Sequence, residues 1–166
     1  MADLAAGDQA ALEELLGRHE RALISFLDRR TGGRDVEDLF QETWLRVVQA
    51  AARFDRSRRF STWLFQIATN LCRDRWRRSR IEPDDAVARA ASDEGRAAVR
   101  NEDEMTVARL LDRLSDVHRE VVVLRYFHDL SEDEVAEIVG CPRGTVKSRT
   151  HNALARLADL AAQERE

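Results

Sequence analysis

Residues 130–149 read LSEDEVAEIVGCPRGTVKSR, and this stretch decides the fold. Ser131 and Glu134 stand at the S-x-x-E spacing of a capping box, in which each side chain satisfies a free backbone N–H of the other's residue, so a short helix opens there. Ala136 is small where a second helix must cross closely. Gly140 lies four residues on, where the chain must turn through a positive φ. Val146, six residues further, points the apolar side of the next helix back into the angle. A small residue, a glycine and a β-branched apolar residue at those offsets are what a tight helix-turn-helix requires.

The outer face of the second helix then carries Thr145, Lys147, Ser148, Arg149, His151 and Asn152, with Arg143 at its start. Lysine and arginine suit phosphates and guanine edges, and asparagine suits adenine. Glu132, Asp133, Glu134 and Glu137 on the first helix suit a helix N-terminus but repel phosphate, so they are expected to face away from the DNA. An ordinary helical hairpin with a solvated charged face would use similar residues. Helix length, glycine position and basic face together favour the DNA-binding reading.

Outward from this stretch, helix dominates. The 166 residues are 43% hydrophobic with only two prolines and seven glycines, enough for one ordinary domain or two small ones. Leu12, Leu15, Leu16, Leu23, Phe26 and Leu27 mark an amphipathic helix, with Asp8 as N-cap and Thr31-Gly32-Gly33 as its end. A second helix opens at Asp35 and is expected to bury Val36, Leu39, Phe40, Val47 and Val48. Residues 54–60 have no helical period and read as a loop. Ser61 is expected to cap a third helix running to about Ser79, with Trp63, Leu64, Ile67 and Leu71 inward. Small and acidic residues replace bulky ones from Ile81 to Glu102, which reads as a linker. Helical pattern resumes with Val107, Leu110, Leu111 and Leu114, and Ser115 or Asp116 can cap a further helix containing Val121, Val122, Leu124 and Phe127. The expected fold class is all-α: two small helical bundles on a flexible acidic tether, with domains at 1–80 and 103–166 and the linker at 81–102.

The net charge of −4 hides a segregation that a phosphate backbone would sense locally. Between Arg53 and Arg80 lie nine arginines against two aspartates, and between Glu82 and Glu104 eight acids against three arginines. Trp63, Phe65 and Trp76 lie among those arginines, with Phe54 and Phe60 just before them. Aromatic faces beside guanidinium groups bind unstacked bases and single strands. Taken alone, Trp63 sits on the apolar stripe and reads as core, and the arginines could form a solvated face. Beside a duplex reader, the cluster suggests a protein that helps open DNA.

With both segments quoted, the chain closely resembles bacterial RNA polymerase sigma factors of the extracytoplasmic-function (ECF) subfamily. DVEDLFQETWLRVVQAAARFD and FSTWLFQIATNLCRDRWRR resemble region 2, and LDRLSDVHREVVVLRYFHDLSEDEVAEIVGCPRGTVKSRTHNALARL resembles region 4. The resemblance implies a transcription initiation factor whose partners are promoter DNA, duplex and single-stranded, and core RNA polymerase. Asp38, Leu39, Gln41, Glu42 and Leu45 would dock on the clamp coiled coil of the β′ subunit. Read without the resemblance, Asp35, Asp38 and Glu42 form a solvated acidic stripe or a metal site. The loop from Phe54 to Ser61, including Arg58, Arg59 and Phe60, would hold a base flipped from the minus-10 element beside Trp63. Asn70, Arg73 and Arg77 would line the path of the separated strand. The helix from about Gly144 to Leu157 would read the minus-35 element, and Leu124 to Phe127 would help the second domain meet the β flap. An anti-sigma factor would clamp the two domains. Three positions depart from the family's pattern: Ser115 replaces a common proline, a change a Ser-Asp cap can absorb, Thr150 a common leucine, and Asn152 a common arginine.

Two other classes compete. A conventional LuxR-like regulator also carries T-V-K in its recognition helix but needs a sensing or receiver domain, for which no alternating strands are visible. A nucleic-acid enzyme would need a catalytic motif. His19, His118, His128 and His151 are scattered, and no H-E-x-x-H, Walker loop or nucleophile elbow occurs. No catalytic residue, metal or cofactor is therefore expected. Cys72 and Cys141 have no CxxC partner and are expected to be buried thiols in a reducing compartment. The first residues lack the pattern of a signal peptide, and no stretch reaches the roughly 20 apolar residues that span a bilayer. A cytoplasmic protein without membrane insertion is expected.

Overall fold

The computed structural model describes residues 8–81 and 102–164. Within them the chain forms seven α-helices and no strand. Apart from its end residues Ile81 and Glu102, the expected linker lies outside the described residues.

Helix α1, Gln9–Thr31, starts at Asp8, whose carboxylate accepts from the Ala10 N–H at 2.9 Å, and stops at Gly32 with φ 67°. Helix α2, Val36–Ala50, follows Asp35, which adopts φ 56° and makes no side-chain cap bond. Val36, Leu39, Trp44 and Val47 enter the core. Val48, expected inside, is 42% exposed. Thr43 takes an inward position instead, giving its hydroxyl to the Leu39 carbonyl at 2.6 Å, and Val48 joins Leu45 on the outer face. A single 3₁₀ turn, Ala51–Arg53, leads into the arginine loop.

Helix α3 spans Phe60–Ile81, so Ser61 lies inside the first turn and is not the cap. Helix α4 is Glu102–Asp112, and α5 is Asp116–Val122. Ser115 holds the N-cap position of α5, yet its side chain makes no cap bond, and the Ser-Asp cap expected there does not form. The carboxylate of Asp116 goes to Arg30 of α1 instead. From Val123 to Phe127 the helix widens into a π-helical turn. Val121, Val122, Val123 and Leu124 are all buried there, a broader face than one stripe of a regular helix covers.

Helices α6, Glu132–Val139, and α7, Arg143–Gln163, form the helix-turn-helix. Both halves of the capping box are present: the Glu134 N–H donates to Ser131 Oγ at 3.2 Å, and the Ser131 N–H to Glu134 Oε2 at 2.9 Å. Gly140 takes φ 70°. Val135, Ile138, Val146 and Ala153 are at most 1% exposed and fill the angle between the helices.

Helices α1–α3 make the first bundle and α4–α7 the second. The two are packed against each other, with α3 meeting α6 and α1 meeting the π turn. His128, just after that turn, is wedged between Phe26 and Phe65 of the first bundle, at ring separations of 5.8 and 4.9 Å. Phe65 thus belongs to the join between bundles and not to the arginine-aromatic surface. No helix among the described residues is long and apolar enough to cross a membrane.

Candidate nucleic-acid interface

The first surface is built on the loop before α3. Asp55 accepts from the backbone N–H and hydroxyl of Ser57, at 2.9 and 2.8 Å. Those bonds, the backbone one first, hold its carboxyl below the usual range and fix the loop as an Asx turn. Phe54, Phe60 and Trp63 then gather into one half-buried cluster, with ring separations of 4.8 Å between Phe54 and Trp63 and 5.9 Å between Phe60 and Trp63. Trp44 and His19 back Phe60 from α2 and α1, at 6.3 and 5.1 Å. Trp63 therefore serves packing and surface together. Ser61 lies beside this cluster, partly covered.

Along α3, Asn70 is exposed, and Arg73 and Arg77 follow at helical spacing on the same side. Arg77 pairs with Asp74 one turn away. The other arginines of this surface reach the second bundle. Arg58 pairs with Glu137 and also donates to Gln66 Oε1 at 3.0 Å; Arg59 pairs with Glu134. Arg73 makes a two-point contact with Glu120, Nε at 3.1 Å and Nη2 at 2.6 Å, and donates to the Val139 carbonyl at 3.0 Å. Glu134 and Glu137 were expected to face away from the DNA; their meeting with these arginines has no signal in the local sequence.

A buried charge network lies behind that contact. Arg30, 4% exposed, donates to Asp116 Oδ2 at 2.7 Å and to Glu120 Oε1 at 3.3 Å. Burial opposes its charge, but Asp116 and then Glu120 outweigh burial, so its pKa rises. Neither Arg30 nor Glu120 stands out in the sequence, because local pattern gives no sign that two elements so far apart will meet.

The second surface is α7. Lys147, Ser148, His151 and Asn152 are exposed, while Thr145 and Arg149 are partly covered. Arg143 is tied to α6, to Glu132 Oε2 at 2.9 Å and Asp133 Oδ2 at 3.4 Å. Ser148 donates to the Thr145 carbonyl at 3.0 Å, and Arg149 lies 3.8 Å from the Cys141 sulfur. The Thr150 hydroxyl is buried without a hydrogen-bond partner.

The third surface is the outer face of α2. Asp38, Gln41 and Leu45 are exposed and Glu42 is partly so; Leu39, grouped with them in the sequence reading, is 3% exposed and belongs to the core beneath. Arg75 bridges Asp35 at 3.4 Å and Asp38 at 3.2 Å, and Arg46 pairs with Glu42 at 3.0 Å. Those pairings favour the acidic-face reading over a metal site. Cys72 is buried, which pushes its thiol up to about 12, so it holds a proton and is a poor nucleophile.

A family model of sigma-70 region 2 matches residues 15–81, and one of sigma-70 region 4 matches residues 104–157. The chain is similar to the ECF RNA polymerase sigma factor SigW of Bacillus subtilis, with 35% identity over 87% of this chain and 86% of that protein. It is also similar to the RNA polymerase sigma factor CarQ of Myxococcus xanthus, with 32% identity over 95% and 92%. Among solved structures it resembles CnrH in complex with the cytosolic domain of CnrY, with TM-score 0.76 and 28% identity over 98% of this chain and 94% of that one. It also resembles the sigma factor RpoE in complex with the anti-sigma factor NepR from Bartonella quintana, with TM-score 0.74 and 25% identity over 90% and 96%. The LuxR-like alternative is not supported, because the N-terminal half matches sigma region 2 where that reading needs a sensing domain.

Proposed function

The chain belongs to the ECF subfamily of RNA polymerase sigma factors, and on that premise we propose which of its surfaces meets which partner. It directs core polymerase to specific promoters and helps open the minus-10 element. The outer face of α2, with Asp38, Gln41, Glu42 and Leu45 over the supporting Leu39, docks on the β′ clamp coiled coil. The loop and head of α3, with Phe54, Arg58, Arg59, Phe60, Ser61 and Trp63, take the flipped base, and Asn70, Arg73 and Arg77 guide the strand. Arg143, Thr145, Lys147, Ser148, Arg149, His151 and Asn152 present α7 to the minus-35 duplex. Asn152, in place of a common arginine, exchanges a guanine or phosphate contact for one suited to adenine. The π turn and its neighbours meet the β flap.

The functional units on this reading are residues 1–80 and 103–166, joined by 81–102. The protein works in the bacterial cytoplasm and adds no catalytic group of its own. An anti-sigma factor holds the two bundles together, and a cleft of about 640 Å³ between them, bordered by Arg30, Arg75, Trp76, Asp116 and Val117, is its natural seat.

The observation that carries this reading is the separation of two chemistries: an aromatic-arginine surface in one bundle and a helix-turn-helix in the other. Permanganate probing of unpaired thymines on promoter DNA with core polymerase tests it. Arg58→Ala with Arg59→Ala is expected to retain polymerase binding while minus-10 reactivity falls. Asp38→Ala with Glu42→Ala is expected to remove both. Full opening by the arginine variant would remove the strand role from that loop.

A further inference from the structure

Arginine suits the first residue of a helix poorly, because the macrodipole leaves that end positive. Arg143 nonetheless opens α7, after Pro142, which makes no side-chain cap bond. The misfit is offset by α6. The Arg143 guanidinium donates through Nε to Glu132 Oε2 at 2.9 Å and through Nη1 to Asp133 Oδ2 at 3.4 Å, both in the first turn of that helix. The bond from Arg143 holds the Glu132 carboxyl below its ordinary range, so the pair stays charged. Acids favour the first turn of a helix, but that preference does not require them to meet one arginine of the next helix. Nor does α6 need them as caps, since Ser131 and Glu134 close the capping box by themselves.

The guanidinium is held without being used up. It has more N–H donors than two bonds employ, and Nη2 donates to nothing among the described residues. The side chain is 63% exposed. Other candidates on α7 differ. Ser148 gives its hydroxyl to the Thr145 carbonyl, and Arg149, partly covered, turns to the Cys141 sulfur. Lys147 is an exposed point charge on a flexible stem. Of Arg143, Lys147 and Arg149, only Arg143 is both exposed and held by a second helix.

We propose that Glu132 and Asp133 are positioning residues for the minus-35 contact: they aim the Arg143 fork at the edge of a guanine, so that α6 sets base preference without touching a base. This rests on the minus-35 reading of α7. The N-terminal residues of a recognition helix are the ones that reach base edges, and arginine meets guanine O6 and N7 through paired donors. A side chain already fixed in direction loses less freedom on binding, whereas an unbraced arginine swings to whichever phosphate or base lies near. Two carboxylates beside the start of a recognition helix also repel the phosphate backbone. The acids therefore weaken binding to duplex in general and sharpen the choice among sequences.

Those two effects have opposite signs, which separates positioning from a merely structural or electrostatic role. Core polymerase loaded with the full chain selects fragments from a pool of random duplex. The minus-35 element aligned from them is then substituted one base pair at a time in competition binding. Arg143→Ala is expected to flatten the preference at one G·C pair roughly tenfold. Glu132→Gln with Asp133→Asn retains Arg143 and the capping box. It is expected to flatten the same pair roughly threefold to tenfold, the ratio that ordering one long side chain supplies. Its affinity for scrambled duplex should rise at low salt. Adding those two substitutions to Arg143→Ala is expected to change the preference no further. An unchanged preference in the acid variant, or equal flattening at every base pair, overturns the proposal. So does an Arg143→Ala holoenzyme that weakens uniformly with a shallower salt dependence, because Arg143 is then a phosphate anchor. A wild-type holoenzyme without any minus-35 preference removes the reading beneath the inference, a result that none of the other outcomes produces.

Discussion

Replacing Glu120 with glutamine should uncouple the two bundles while leaving each folded. Glu120 is 1% exposed on α5, and the arginines that hold it, Arg30 and Arg73, belong to α1 and α3 of the other bundle. Removing one partner of a buried charge pair costs about 3–5 kcal/mol. Asp116 still holds Arg30, and the glutamine carbonyl retains one acceptor, so the loss should sit at or below the lower end, about 2–3 kcal/mol. At roughly 1.4 kcal/mol per decade this shifts the docked population by roughly thirtyfold to about 140-fold toward the open form. The three tryptophans, Trp44, Trp63 and Trp76, all lie in the first bundle, so their fluorescence follows that bundle alone, whereas far-ultraviolet circular dichroism follows both. Urea unfolding of wild type should give coincident transitions by the two probes, and the variant should separate them. Small-angle scattering should show an expanded chain before either bundle melts. Coincident transitions with an unchanged midpoint in the variant would refute the reasoning, because they would mean that the buried network does not couple the bundles.

Other outcomes follow from single groups. Thr150→Val removes a buried hydroxyl that has no partner and keeps the shape, so calorimetry should show stabilisation of about 1 kcal/mol. Gly140→Ala places a Cβ where nothing lies within 4 Å but forces φ 70° on a side chain, which should cost about 1 kcal/mol in chemical denaturation. Burial, aided by Arg29, pushes His128 from its ordinary 6.5 down to about 4, with Asp129 opposing. The wedge is therefore uncharged above 6.5, and docking weakens as pH falls through the interval between 6.5 and about 4. The loss should reach about 1 kcal/mol by roughly pH 5.5, and His128→Phe should abolish that part of the slope in scattering or urea midpoints.

The helix-turn-helix was legible in the sequence because its determinants are local: a capping box four residues wide, a glycine forced to positive φ and one buried valine. The first helix was legible for the same reason, from Asp8 to Gly32. Legibility fell where a tertiary contact claimed a residue that local chemistry had assigned elsewhere. Asp116 was expected to help cap α5 but binds Arg30, and Val48 of α2 faces outward because it stands about 100° round the helix from Val47, at the centre of the buried stripe. The π turn at Val123–Phe127 follows a run of valines whose burial on several sides no single period encodes. The contact between the two bundles was hidden most completely. Arg58 was expected to serve the strand and Glu137 to face away from the DNA, and only the packing of α3 on α6 joins them across 79 residues.

The central claim is that this chain gives core polymerase its promoters, and run-off transcription on mixed genomic templates, with and without the protein, tests it most directly. Discrete new transcripts that appear with the protein and vanish with Asp38→Ala plus Glu42→Ala are the expected result. No transcripts, together with specific retention of duplex fragments in the absence of polymerase, would contradict it.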